Sequence, residues 1–141
     1  MSQSGAVVIV EDDMDDRIFL SQVFKEINME REVLWFSSTS EAFEFLKTTS
    51  RYIFLIFSDI QLPAESGLEF KQKIDANPRL RRKSIPFVFY STSASQRDVD
   101  DAYTKMTIQG FFQKLGDYDE TKMLMKTVFD YWDICKHPNK Q

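Results

Sequence analysis

Carboxylates, a hydroxyl and an ammonium group each follow a short apolar run in this 141-residue chain. Glu11-Asp12-Asp13 follows Ala6–Val10, and Asp59 stands just beyond Tyr52–Phe57. Ser91-Thr92 follows Ile85–Tyr90, and Lys114 follows Gly110–Gln113. If the runs are parallel strands, these residues meet over one edge of a sheet. Glu11, Asp12 and Asp59 would then bring three negative charges, Lys114 would return one, and a divalent cation would balance the other two. Carboxylate oxygens with room left for water favour Mg2+. Asp59 could attack phosphorus as a carboxylate nucleophile and form an aspartyl phosphate. Mg2+ and Lys114 would stabilise charge on the transferring oxygens, and the Ser91 hydroxyl would donate to the bound phosphoryl group.

The elements that must position these residues alternate along the chain. Ala6–Val10 is β-branched, as in a strand buried on both faces. Leu20, Val23, Phe24 and Ile27 recur at helical spacing between Asp15 and Asn28, and Val33–Phe36 reads as a second strand. Ser38-x-x-Glu41 and Ser66-x-x-Glu69 have the form of capping boxes, each opening a helix. Tyr52–Phe57 is the most hydrophobic run and is expected at the centre of the sheet; Pro63 and Gly67 punctuate the loop after it. The helix from Ser66 should stop near Asn77-Pro78. The basic run Arg79, Arg81, Arg82, Lys83 has no interleaved aromatics and reads as a solvated loop. Ile85–Tyr90 is a fourth strand, with Pro86 tolerable only near its start. Val99, Ala102, Tyr103 and Met106 mark the next helix, and Gly110–Gln113 a brief fifth strand. Leu124, Met125, Val128, Tyr131, Trp132 and Cys135 mark one face of the last helix. Five βα units in succession imply a parallel sheet with helices on both faces and a ligand site at the strands' carboxyl ends.

Composition narrows the function class. The length suits one domain over residues 1–141, with a core from about 6 to 135 and a polar tail from Lys136 expected to fray. A net charge of −4 offers no general attraction to nucleic acid or to an anionic membrane. One Cys and one His exclude an internal disulfide and a cysteine-based zinc site. No apolar stretch approaches the ~18 residues of a membrane span, and the apolar run Ala6–Val10 is too short for a signal peptide. A cytoplasmic location is therefore expected.

Taken in order, these segments resemble the receiver domains of two-component response regulators, from about Val7 to Tyr131. The resemblance is carried by Val8-Ile9-Val10-Glu11-Asp12-Asp13, by Ser58-Asp59-Ile60-Gln61-Leu62-Pro63 with Gly67-Leu68-Glu69, by Ile85–Ser91, and by Gly110–Lys114. It implies an α/β, flavodoxin-like (βα)5 fold with strand order 2-1-3-4-5. It implies Asp59 as phospho-acceptor, Lys114 as partner of the phosphoryl group, Ser91 as switch hydroxyl and Phe111 as switch aromatic. The Mg2+ site would be Asp12 and Asp59 directly, Glu11 through water, and the backbone carbonyl of Gln61. Asp13 matches a variable position and is left out of the site. Gln61 and Ser93 sit where the family tunes phosphoryl lifetime. The donor would be a histidine kinase or a phosphotransfer protein. The output would pass to a separate protein partner through the helix before Gly110, that strand and the last helix. Turnover beyond self-catalysed phosphotransfer and dephosphorylation is not expected, and the sequence leaves homodimerisation open.

Two positions depart from the family pattern. Leu115 follows Lys114 where proline is usual, often in a cis bond, and a non-proline cis bond costs about 2.5–4 kcal/mol. Thr92 replaces the usual alanine beside the acceptor. Plainer roles stand beside the functional ones: Ser91 satisfying backbone groups, Phe111 as ordinary core, Lys114 and the acidic pair as surface charge. One rival function is a non-phosphorylated interaction module working through helix surfaces alone. Others fit less well: Glu11-Asp12-Asp13 would repel the phosphate of a flavodoxin cofactor, and an aspartyl phosphatase would typically have an acid where Gln61 stands.

Overall fold

The computed structural model describes residues 5–92 and 94–138, so Ser93 and residues 139–141 of the tail lie outside it. In chain order the elements are β1 (Ala6–Val10), α1 (Met14–Glu26), β2 (Val33–Phe36), α2 (Thr39–Thr48), β3 (Ile53–Ser58) and α3 (Gly67–Ala76). There follow α4 (Pro78–Lys83), β4 (Phe87–Ser91), α5 (Gln96–Lys105), β5 (Gly110–Gln113) and α6 (Tyr118–Ile134). All neighbouring strands are parallel, in the order β2-β1-β3-β4-β5, with β3 central. This is the flavodoxin-like order that the family resemblance implies.

The sheet divides two apolar clusters. Val8, Val10, Ile56, Phe87 and Phe89 face α2, α3, α4 and α5. Val7, Ile9, Leu55, Phe57, Val88 and Tyr90 face α1 and α6. Every residue of β1, β3 and β4 is buried, which is why these strands read as unbroken apolar runs. The alternation slips once in β3, where Phe54 and Leu55 join the same cluster. The register explains it: Ala6 pairs with Ile53 but Val7 with Leu55, so Phe54 is an inserted residue.

Several local expectations change. The basic run is not a solvated loop but the helix α4, capped by Asn77 with Pro78 in its first turn. The Arg79 guanidinium donates to the carbonyls of Lys47 and Thr49, and Lys83 Nζ donates to Thr49 O at 3.2 Å. These cations meet carbonyls at the C-terminus of α2, where the helix dipole favours positive charge. β4 starts at Phe87 rather than Ile85, because Pro86 has no N–H; its carbonyl still accepts from Ile56 N at 2.9 Å. In α6 Phe129 is buried while Tyr131 is more than half exposed, and Tyr103 on α5 is likewise exposed. Ser66 and Glu69 complete a reciprocal capping box, whereas the Ser38 hydroxyl accepts from Glu41 N and donates to Glu41 Oε1, without the return bond from the Ser38 N–H. Within the described part of the tail, the His137 ring stacks on Phe54 and its Nε2 lies 2.5 Å from the Phe54 carbonyl.

A buried polar network fixes the approach to β5. Lys71 Nζ donates to Asp75 Oδ1 (2.8 Å) and Thr107 Oγ1 (3.1 Å), and Thr107 N donates to Asp75 Oδ2 (2.9 Å). Burial works to raise the Asp75 carboxyl, but the bonds from Lys71 and Thr107 outweigh it and hold it below its usual value. No helix of the described residues is long and apolar enough to cross a membrane.

Candidate functional site

Strand register brings the predicted residues together. Val10 pairs with Ser58, so Glu11 and Asp59 leave neighbouring strand ends side by side, and Asp59 N donates to Val10 O. Ser91 pairs with Gln113, and Lys114 N donates to Ser91 O at 2.8 Å. Asp59, 8% exposed, accepts through Oδ1 from Ser91 Oγ (2.9 Å) and from the Gln61 backbone N–H (3.1 Å). Its Oδ2 accepts from Lys114 Nζ at 2.9 Å. Lys114 Nζ also donates to Glu11 Oε1 at 2.5 Å and to Asp16 Oδ2 at 2.9 Å.

The charges act on one another across this pocket. Burial raises the Glu11 carboxyl above its ordinary value even though Lys114 bonds to it. Burial opposes the charge on Lys114, but bonds to Glu11, Asp16 and Asp59 hold its pKa well above that of a free lysine.

Not every predicted residue joins this set. Asp12 is exposed, next to Glu11 but outside the hydrogen-bonded cluster. Phe111 packs on Phe89 with ring centroids 5.5 Å apart, and does not belong to the polar cluster. It lines a cleft of about 840 Å3 together with Ser91, Thr92 and Tyr103. Thr92 is exposed and lines that cleft. The described residues contain no cis peptide bond, so Lys114–Leu115 is trans. Asp13 is the N-cap of α1, accepting from Asp15 N and Asp16 N, and its own N–H donates to Glu11 Oε2.

Sequence reasoning missed two participants. Asp16 is the third carboxylate on Lys114, and its position in the first turn of α1 looks in sequence like an ordinary complement to the helix dipole. Arg17 donates from Nε to the Glu11 carbonyl at 2.9 Å and lies over the Trp35 ring, bracing the end of β1.

Gly67 positions the acceptor from behind. A Cβ at this residue would overlap the Asp59 carbonyl oxygen and lie 3.1 Å from Ile60 Cα, and Gly67 N donates to Ile60 O. These neighbours are backbone and cannot swing aside. Gly67→Ala is expected to lose about 2–3 kcal/mol in urea unfolding, towards the upper range for overpacking, and to slow any chemistry at Asp59. A variant as stable as the parent would show that the loop yields freely.

The profile of the response regulator receiver domain matches residues 7–126, and the chain belongs to this family of phosphorylation-dependent signalling domains. No curated protein sequence matches the chain. Among solved structures, the phosphorylated cyanobacterial phytochrome response regulator RcpA is 22% identical with a TM-score of 0.84, covering 98% of this chain and 100% of that one. The Mn2+-bound response regulator Rcp1 is 24% identical with a TM-score of 0.81, covering 95% and 99%. The receiver domain of the sensor histidine kinase PA1611 from Pseudomonas aeruginosa carries a magnesium ion in its active-site cleft. It is 16% identical with a TM-score of 0.67, covering 89% and 97%. At these identities the likeness concerns the fold.

Proposed function

We propose that the chain accepts a phosphoryl group on Asp59 from the phosphohistidine of a histidine kinase or phosphotransfer protein, with Mg2+ present, and that the aspartyl phosphate works as a conformational switch. The reading rests on one observation above the others: the two oxygens of a buried Asp59 carboxylate are bracketed by Ser91 Oγ and Lys114 Nζ, each at 2.9 Å. An Asp59 oxygen forms the new bond to phosphorus as the P–N bond of the donor breaks and its electron pair returns to the imidazole. Lys114 stabilises charge on the transferring oxygens, and the Gln61 N–H keeps the carboxylate aimed.

The donor chemistry suits magnesium. No group of three acidic, His or Cys residues among the described residues forms a ready cage for a metal. Mg2+ needs no such cage, because it commonly takes one or two carboxylates and keeps several waters. Asp12 and Asp59, with the Gln61 carbonyl and Glu11 through water, would hold it. Bound there, it would neutralise charge on the incoming phosphoryl group.

The Ser91 hydroxyl, now donating to Asp59 Oδ1, would turn to a phosphoryl oxygen and draw the end of β4 with it. The cleft beside Phe111 gives that ring room to follow. The change would bias α5, β5 and α6, the face offered to a downstream protein in the cytoplasm. No turnover beyond self-catalysed transfer and hydrolysis is proposed.

Intact-mass measurement after incubation with acetyl phosphate and Mg2+ tests the reading. One added phosphoryl group, mapped to Asp59, is the expected result. An unmodified mass at millimolar Mg2+ would favour an interaction module that works without phosphorylation.

A further inference from the structure

We infer that Asp16 is a positioning residue of this pocket, one that favours the metal and opposes the phosphoryl group by holding the third N–H of Lys114. The inference rests on the phospho-acceptor reading of Asp59 and adds a carboxylate which that reading does not use.

Three observations carry it. First, an ammonium has three N–H donors, and Lys114 directs them at Glu11 Oε1, Asp16 Oδ2 and Asp59 Oδ2. A phosphoryl oxygen can gain Lys114 only by displacing one of these carboxylates. Second, the Asp16 side chain is 40% exposed, against 4% for Glu11 and 9% for Asp59. Water can replace Lys114 at Asp16 far more easily than at the buried pair, so Asp16 is the partner to be released. Third, the contact is built into the backbone. The Asp13 cap accepts from Asp16 N, fixing the first turn of α1 and the point from which the carboxylate reaches Lys114.

Asp16 changes the charge balance of the site. Glu11, Asp12, Asp16 and Asp59 sum to four negative charges, and Lys114 with one divalent cation supplies three positive ones. The Asp16 carboxylate is one negative charge beyond the three that Lys114 and the cation balance. That charge attracts a cation and repels an anion, so the two ligands must respond to its removal in opposite directions.

The test is calorimetric titration of the parent, Asp16→Asn and Asp16→Glu with Mg2+ alone, and then with fluoroberyllate at saturating Mg2+. Asp16→Asn removes the charge and keeps the shape. It should bind Mg2+ about threefold to tenfold more weakly, as expected for a unit charge several ångströms from a divalent ion in high dielectric. It should bind fluoroberyllate about threefold more tightly and keep an acetyl-phosphate-derived phosphoryl group longer. Asp16→Glu should stay near the parent in both titrations. Damage to the fold would weaken both ligands together, so weakening of both, or a change in neither, overturns the inference. A parent that binds no fluoroberyllate at millimolar Mg2+ would instead overturn the phospho-acceptor reading itself.

Discussion

Asp59→Asn is expected to take up no phosphoryl group from acetyl phosphate at a Mg2+ concentration that labels the parent fully. The side chains match in shape, so the loss would be chemical. A carboxylate oxygen carries the electron pair that forms the bond to phosphorus; the amide delocalises its own and is a poor nucleophile. The fold should survive. The oxygen of the substituted amide can still accept from Ser91 Oγ and the Gln61 N–H, while its NH2 group faces Lys114 as donor against donor. One hydrogen bond is lost, but Lys114 keeps Glu11 and Asp16 as partners. The net change in stability should therefore stay within about 1–2 kcal/mol. Intact mass and urea unfolding measure both halves. Labelling of the variant at the parent's rate would remove Asp59 from the acceptor role.

The sequence displays the strand ends plainly because burial on both faces leaves no other composition for β1, β3 and β4. Once the strands are parallel, register alone carries Glu11, Asp59, Ser91 and Lys114 to one edge. What stays hidden depends on contacts between distant segments. Asp16 acts on a residue 98 positions away, and nothing local separates it from Asp15, which points no carboxylate at Lys114. The helical character of 78–83 is masked by its charges, since Leu80 is its one buried residue and its cations find their partners on α2. Tyr131 and Phe129 are both apolar enough for the core of α6, but the buried stripe runs through Thr121, Met125, Val128 and Phe129 and leaves Tyr131 outside it. His137 and the inserted Phe54 are linked across the molecule, so neither the bulge nor the packed tail has a local signal.

Lys114→Met tests the electrostatics of the pocket in two ways. The substitution preserves much of the length of the side chain and removes the cation that pairs with the carboxylates of Glu11, Asp16 and Asp59. Loss of a preorganised group that stabilises developing charge lowers rates by roughly 100- to 1,000-fold, and phosphorylation by acetyl phosphate should slow to that extent. Stability should also fall, because Glu11 and Asp59 keep their neutral donors but lose the ammonium that pairs with them; about 3 kcal/mol is the usual loss when one partner of a buried pair is removed. The pH dependence has a definite sign. In the parent, burial already raises the folded Glu11 carboxyl above 4.5, so the folded state holds this proton more tightly than the unfolded state does. Removing Lys114 takes away the bond that opposes this shift and raises the carboxyl further. The stability deficit of the variant in EDTA should be complete well above the folded pKa and shrink as pH falls through that value, where Glu11 becomes neutral. Mg2+ should recover part of the deficit at neutral pH, because it replaces the missing positive charge. A variant as stable as the parent at pH 8 in EDTA would mean that water screens these carboxylates, and the pocket would then have no electrostatic reason to take up a cation.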